Sequence, residues 1–156
     1  MADINRKASV TWSGSAREGR GTFRVGSGAL TAPFTYNSRF RGGGDTNPEE
    51  LLLAAQAGCL TMALAAALQE QQRGGGQIET SAELDLVPLE SGGYRIPRMR
   101  LELAVSEGGP QDGLDRALGR AMDMCPICHA LAGTDIQVTV RPAPAVTGIG
   151  FEGPTD

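Results

Sequence analysis

The sequence predicts an α+β fold, and three observations carry that expectation. A long, almost wholly apolar helical stretch lies between Pro48 and Leu68. Short β-prone runs precede it and alternating apolar–polar runs follow it. A shorter amphipathic stretch then comes before a last alternating run. Strands, helix, strands, helix and strand in that order suit an α+β layer architecture. With 156 residues, the chain is long enough to bury a core as a single domain over 1–156.

Val10-Thr11-Trp12 and Thr22-Phe23-Arg24-Val25 read as strands, separated by glycine-rich turns. Gly42-Gly43-Gly44-Asp45 is a flexible break, and without the Lys-Ser/Thr of a phosphate loop the glycines read as a hinge or lid. The helix start is written in local chemistry. Asn47 is a good N-cap, Pro48 fits the first helical position, and Glu49 and Glu50 complement the helix dipole. From Leu51 to Leu68 the only strongly polar positions are Gln56 and Thr61. A helix apolar on every side is expected to be buried, partly under a second copy of the chain. A membrane span is disfavoured, because the run is short for one and rich in Ala and Gly. Gln69-Glu70-Gln71-Gln72-Arg73 followed by Gly74-Gly75-Gly76 is expected to end the helix with a polar turn and a breaker.

Ile78, Thr80, Ala82, Leu84 and Leu86 alternate with polar residues, as a half-buried strand does. After a turn at Glu90-Ser91-Gly92-Gly93, a second strand carries Met99, Leu101, Leu103 and Val105 inward and Arg98, Arg100 and Glu102 outward. Asp112 is expected to cap a helix bearing Leu114, Ala117, Leu118, Ala121 and Met122. Pro126 should interrupt it and open a short helix to Leu131. Ile136, Val138 and Val140 form the last strand, and a Pro/Gly-rich tail from about 142 is expected to be irregular.

The formal net charge is -4, and one Trp, two Tyr and four Phe are the aromatic residues. No basic stripe with stacking aromatics is present, which argues against a nucleic-acid partner. No export signal is read at the N-terminus, so the expected setting is the cytoplasm, without a membrane partner. There Cys59, Cys125 and Cys128 should rest as thiols.

The pentapeptide Cys125-Pro126-Ile127-Cys128-His129 admits four readings. As C-x-x-C-H it could attach a haem, with His129 as axial ligand, but several strands and no export signal speak against that. Three Cys and one His could hold zinc, yet Cys59 would be a ligand with no neighbour at the usual spacing. C-P-I-C is similar to a glutaredoxin dithiol, but that motif follows a strand early in the chain. In the fourth reading one of these cysteines works with Cys59, elsewhere in the chain.

The fourth reading coincides with a family resemblance. Thr11-Trp12, Asn37-Ser38-Arg39-Phe40, Thr46-Asn47-Pro48-Glu49-Glu50-Leu51, Gly58-Cys59 with Met62-Ala63-Leu64, and Cys125-Pro126 together resemble the OsmC/Ohr thiol peroxidases, the OsmC branch in particular. The likeness runs over about residues 8 to 141. It implies an intertwined homodimer that reduces organic hydroperoxides without a cofactor or metal. Cys59 matches the peroxidatic cysteine, Cys125 the resolving one, and Arg39 and Glu49 the pair that activates the thiolate. It also implies re-reduction by dithiols, with lipoylated proteins favoured in the Ohr branch. Where Cys128 stands a Ser is common, so Cys128 reads as packing or as a competing disulfide partner, and His129 as a polar helix residue. The reading from another class is a non-catalytic stress-response or ligand-binding protein of the same fold.

The chemistry suits those residue types. A thiolate, not a thiol, attacks peroxide. Lowering a thiol pKa by about two units takes roughly 2.7 kcal/mol. A guanidinium at about 4 Å offers on the order of 4 kcal/mol at an effective dielectric near 20. Glu49 would orient Arg39 more than activate the sulfur. Glu49 and Cys59 sit ten positions apart, about 15 Å along a straight helix. A Glu side chain does not span that gap. Either the helix breaks near Gly58, or Arg39 and Glu49 serve the cysteine of a second subunit, which is the expectation favoured here.

Overall fold

A computed structural model describes residues 3–74 and 76–144. It contains β1 (Ala8–Ser13), β2 (Arg20–Val25), β3 (Thr31–Thr35), α1 (Tyr36–Phe40), α2 (Pro48–Glu70), β4 (Ile78–Pro88), β5 (Tyr94–Ser106), α3 (Gln111–Met124), α4 (Pro126–Ala130) and β6 (Asp135–Ala143). The α+β expectation holds. The chain gathers into two compact units that divide between Leu52 and Leu53, inside α2.

The first unit is an antiparallel sheet in the order β1-β2-β3. Its register sets Trp12 opposite Gly21, and Gly21 opposite Phe34. A Cβ at Gly21 would run into the Phe34 ring, so glycine is what lets the two aromatics close over the strand. Phe23 stacks on Phe34 with ring centroids 4.1 Å apart. The sequence did not announce β3, because Pro33 sits within it and proline demotes a strand reading. Here β3 is an edge of the sheet, where a missing N–H is tolerated. Nor was α1 expected. It starts from a capping box in which Ser38 N–H donates to Thr35 Oγ1 and Thr35 N–H donates to Ser38 Oγ.

The start of α2 is as read. Asn47 Oδ1 accepts the Glu50 N–H at 2.8 Å, an N-cap bond to the third helical residue. The 23-residue helix runs from Pro48 to Glu70 through Gly58, so the alternative of a break at Gly58 is not what the chain does. The helix ends in the polar turn ahead of the glycines, with Gln72 in the left-handed region (φ 58°) and Arg73 N–H donating to Leu68 O, a Schellman closure. Within the single chain α2 is buried along one side. Gln56, Leu60, Leu64, Ala67 and Leu68 are buried, whereas Met62 is 75% exposed and Ala54, Ala55, Gly58, Ala65 and Ala66 share its exposed stripe. By length and composition α2 is apolar enough to cross a membrane, and one stripe of it is buried within the single chain.

In the second unit β5 is the central strand, antiparallel to β4 and parallel to β6. The parallel pair needs a crossover, and α3 and α4 supply it. Met99, Leu101, Leu103 and Val105 of β5 are buried together with Leu114, Ala117 and Ala121 of α3. On the other face Arg100 bonds Asp85 and Glu83, and Arg98 bonds Asp135. Exposed pairs add little energy, but opposite charges on neighbouring strands support this register. Asp112 does not cap α3. Pro110 holds that position without a side-chain bond, and Asp112 instead bonds Arg116 one turn on. β6 continues through Pro142 to Ala143, so the tail expected from about 142 is strand at its start, and residues 145–156 lie outside the described residues.

Candidate active site

Pro126 builds one half of the cysteine site. A residue before proline avoids helical backbone, and Cys125 is extended (φ −84°, ψ 104°), ending α3. Proline suits the first position of a helix, so α4 begins at once with Cys125 as its N-cap. The cap bond runs to sulfur, with Cys128 N–H donating to Cys125 Sγ at 3.3 Å. His129 Nε2 lies 2.8 Å from Asp123 O and ties α4 to the end of α3.

The other half comes from α2, where Cys59 follows Gln56 by three positions and so shares its side of the helix. Cys59 Sγ and Cys125 Sγ lie 3.4 Å apart, from positions separated by 66 residues. All three cysteines are free thiols; Cys125 is buried, and Cys59 and Cys128 are half-buried. A disulfide needs an S–S length near 2.05 Å, so joining Cys59 to Cys125 asks for a sulfur movement of only about 1.4 Å.

Burial pushes the Cys59 thiol up from its ordinary value. The Ile127 amide works against that by hydrogen bonding, and the neighbouring Cys125 adds to the rise. Cys125 is also held up, chiefly by burial and then by the Cys128 side chain, against the Cys128 amide and Cys59. Within its own unit, the pair therefore favours thiols.

Gln56 is the residue the sequence reading did not single out for the site. It is fully buried. Its Nε2 donates to Cys128 Sγ at 3.0 Å, and its Oε1 is buried without a hydrogen-bond partner. The available signal was a lone amide in an apolar run, one turn before Cys59. Among the described residues, no group of three or more His, Cys, Asp and Glu side chains could hold a metal ion.

Arg39 and Glu49 belong to the first unit and meet there. The buried Ser38 donates its hydroxyl to Thr46 O at 2.8 Å, joining α1 to the segment before α2. That fixes Arg39 beside the first turn of α2. Arg39 Nε donates to Glu49 Oε1 at 2.9 Å and Nη2 donates to the same oxygen at 2.6 Å. The Glu49 side chain is 12% exposed and that of Arg39 39%. Glu50, the next residue, faces solvent. Glu49 uses one edge of the guanidinium and leaves the Nη1 edge for another acceptor. The Arg39 guanidinium carbon also lies 5.0 Å from the Phe40 ring centre.

Residues 41–141 match the family described as OsmC-like protein. The chain is 34% identical over 130 residues to "Peroxiredoxin OsmC" of Escherichia coli (strain K12), covering 82% of this chain and 90% of that protein. The protein of the same name from Shigella flexneri matches equally. Among solved structures, an organic hydroperoxide resistance protein OsmC from Legionella pneumophila superposes with a TM-score of 0.73 at 22% identity, covering 90% of this chain and 98% of that one. The organic hydroperoxide resistance protein OhrB of Bacillus subtilis gives 0.68 at 25% identity, covering 86% and 98%. The likeness first read from T-N-P-E-E-L and C-P thus spans most of the sequence and the architecture, and the chain belongs to the OsmC-like family.

Proposed function

We propose that this protein is a thiol peroxidase that reduces organic hydroperoxides to alcohols. The observation that carries the reading is the 3.4 Å approach of two free thiols from distant parts of the sequence. The names of its relatives, a peroxiredoxin and organic hydroperoxide resistance proteins, support the substrate class. The Cys59 thiolate attacks the terminal oxygen of ROOH, the O–O bond breaks, and ROH leaves a sulfenic acid on Cys59. The Cys125 thiol condenses with that sulfenic acid, releasing water and forming a Cys59–Cys125 disulfide. A dithiol then reopens the pair by exchange; lipoylated proteins are dithiols of the required kind, and the reducing cytoplasm is the setting we infer.

Burial alone leaves Cys59 a poor nucleophile, so the scheme needs a cation. Arg39, oriented by Glu49, is the group we assign to that task. Ten residues of unbroken helix separate Glu49 from Cys59, about 15 Å, so the Arg39–Glu49 pair serves the cysteine of a second copy in a homodimer. The exposed apolar stripe of α2 around Met62 is the surface that a second copy would cover.

One observation favours a rival reading. With both thiols held up by burial, a protein whose cysteines are idle would look the same within this unit. One equivalent of cumene hydroperoxide added to reduced protein decides between them. Peroxide loss that disappears in Cys59→Ser supports the enzyme. Intact peroxide and three alkylatable thiols in the wild type would rule it out.

A further inference from the structure

Cys128 is the thiol that the scheme above does not use, and it is not isolated. Its amide bonds Cys125 Sγ. Its sulfur accepts from Gln56, a fully buried amide whose oxygen has no partner. An unpaired buried polar atom is costly, so a side chain of this kind beside three thiols calls for a role.

Resting on the peroxidase reading, we infer that Cys128 is a third redox cysteine, which takes the disulfide over from Cys59 and leaves Cys125 bonded to Cys128. After Cys59 and Cys125 have joined, the Cys128 sulfur attacks Cys125 Sγ. A Cys125–Cys128 bond forms, the Cys59–Cys125 bond breaks, and Cys59 leaves with the electron pair. The Cys128 thiol proton goes to the departing Cys59 sulfur, so the exchange consumes no oxidant and no reductant.

Geometry and chemistry both favour this direction. Cys125 and Cys128 are the N-cap and third residue of α4, so their Cα atoms stand about 5 Å apart, inside the range a disulfide spans. The Cys128 amide already meets Cys125 Sγ at 3.3 Å. The Gln56 N–H that donates to the Cys128 sulfur at 3.0 Å is placed to steady negative charge as that sulfur attacks. A cation that lowers the Cys59 pKa also makes Cys59 the better leaving sulfur. The outcome differs from a two-cysteine cycle in one countable way, because Cys59 is free again before any reductant arrives.

The test is a peroxide titration of the fully reduced wild-type protein without reductant, in the presence of dimedone to trap sulfenic acid. Alkylation and mass spectrometry of the products then map the bonds. The relay predicts two equivalents of cumene hydroperoxide consumed per chain, with a Cys125–Cys128 disulfide and a dimedone adduct on Cys59 in the same molecule. Cys128→Ser should consume one equivalent and stop at Cys59–Cys125. A wild type that stops after one equivalent at Cys59–Cys125, with Cys128 alkylated, overturns the relay and leaves the peroxidase standing. A Cys125–Cys128 bond formed equally fast in Cys59→Ser overturns it as well, since no exchange from Cys59 would then be involved. Absence of any peroxide consumption overturns both proposals.

Discussion

Replacing Arg39 with Gln separates activation of Cys59 from simple structural support. Glu49 loses two short charge-assisted bonds, and such bonds contribute about 1.5–3 kcal/mol when well shielded. With Arg39 39% exposed, screening brings the cost nearer to ~1–2 kcal/mol. For a chain of this length that lowers Tm by about 2–8 °C, so the variant remains folded at 25 °C. The chemical effect should be larger. Without the cation, burial holds the Cys59 thiol up, and the thiolate fraction at pH 7 falls by at least ~10-fold. Stopped-flow consumption of one equivalent of cumene hydroperoxide should therefore slow at least ~10-fold at pH 7. It should recover as pH rises, tenfold per unit until the raised thiol titrates. Iodoacetamide labelling of Cys59 across the same pH range reports the pKa directly. A rate that falls equally at every pH, with the labelling pKa unmoved, would refute the assignment of Arg39 to activation.

Other consequences are measurable on the same material. Cys125→Ser should complete the first peroxide reduction yet form no Cys59–Cys125 bond. Intact-mass analysis should find Cys59 advancing to sulfinic acid under excess peroxide, and a thiol that returns intact without reductant would contradict the resolving role. Because burial raises Cys125, its stabilising contribution is complete below the unfolded thiol value of about 8.5 and is lost as pH climbs through the folded value. Tm should thus decline as pH climbs above about 8.5, and less steeply in Cys125→Ser; equal slopes would count against a buried, neutral Cys125. Met62→Glu exchanges an apolar side chain that gains about 1.5–3 kcal/mol on burial for a charge, so self-association should weaken at least ~10–100-fold. Sedimentation equilibrium reads this, and unaltered association would place the interface elsewhere.

What the sequence disclosed follows the range of the interactions. Asn47, Pro48 and the two glutamates signalled the start of α2 because capping is chemistry between residues three apart. Period-two alternation revealed β4 and β5 because one face of β5 is buried and one face of β4 half-buried. The misses have physical causes as well. β3 hides behind Pro33, and α1 behind a Ser where the usual box has Glu or Gln. At the site, the C-P pair predicted a helix restart, which is local. No spacing rule joins Cys59 to Cys125 across 66 positions; family resemblance suggested the pair and the fold brings the two sulfurs together. Gln56 looked like a polar interruption in an apolar helix. Its bond to Cys128 spans 72 positions, and a contact of that range leaves no pattern in the sequence.

Whether Arg39 acts on its own cysteine or on that of a second copy can be decided by counting sites. Arg39→Gln retains Cys59 but lacks the cation, and Cys59→Ser retains the cation but lacks the sulfur. Suppose the two variants are unfolded together and refolded at equal concentration, so that half of the dimers are mixed. If Arg39 acts across the interface, one of the two sites in each mixed dimer unites an intact Arg39 with an intact Cys59. About a quarter of the wild-type sites then return to the fast phase, to which Arg39→Gln alone contributes none. If Arg39 acts within its own chain, every site in every dimer lacks one group, and the mixture is no faster than the average of its parents. The burst of peroxide consumed in the first turnover gives the site count without reference to any reductant. A quarter-sized fast phase that appears only on co-refolding assigns the pair to the second copy. Its absence, with mixed dimers verified by native mass spectrometry, would mean that α2 cannot be the straight spacer between Glu49 and Cys59 that its unbroken 23 residues describe.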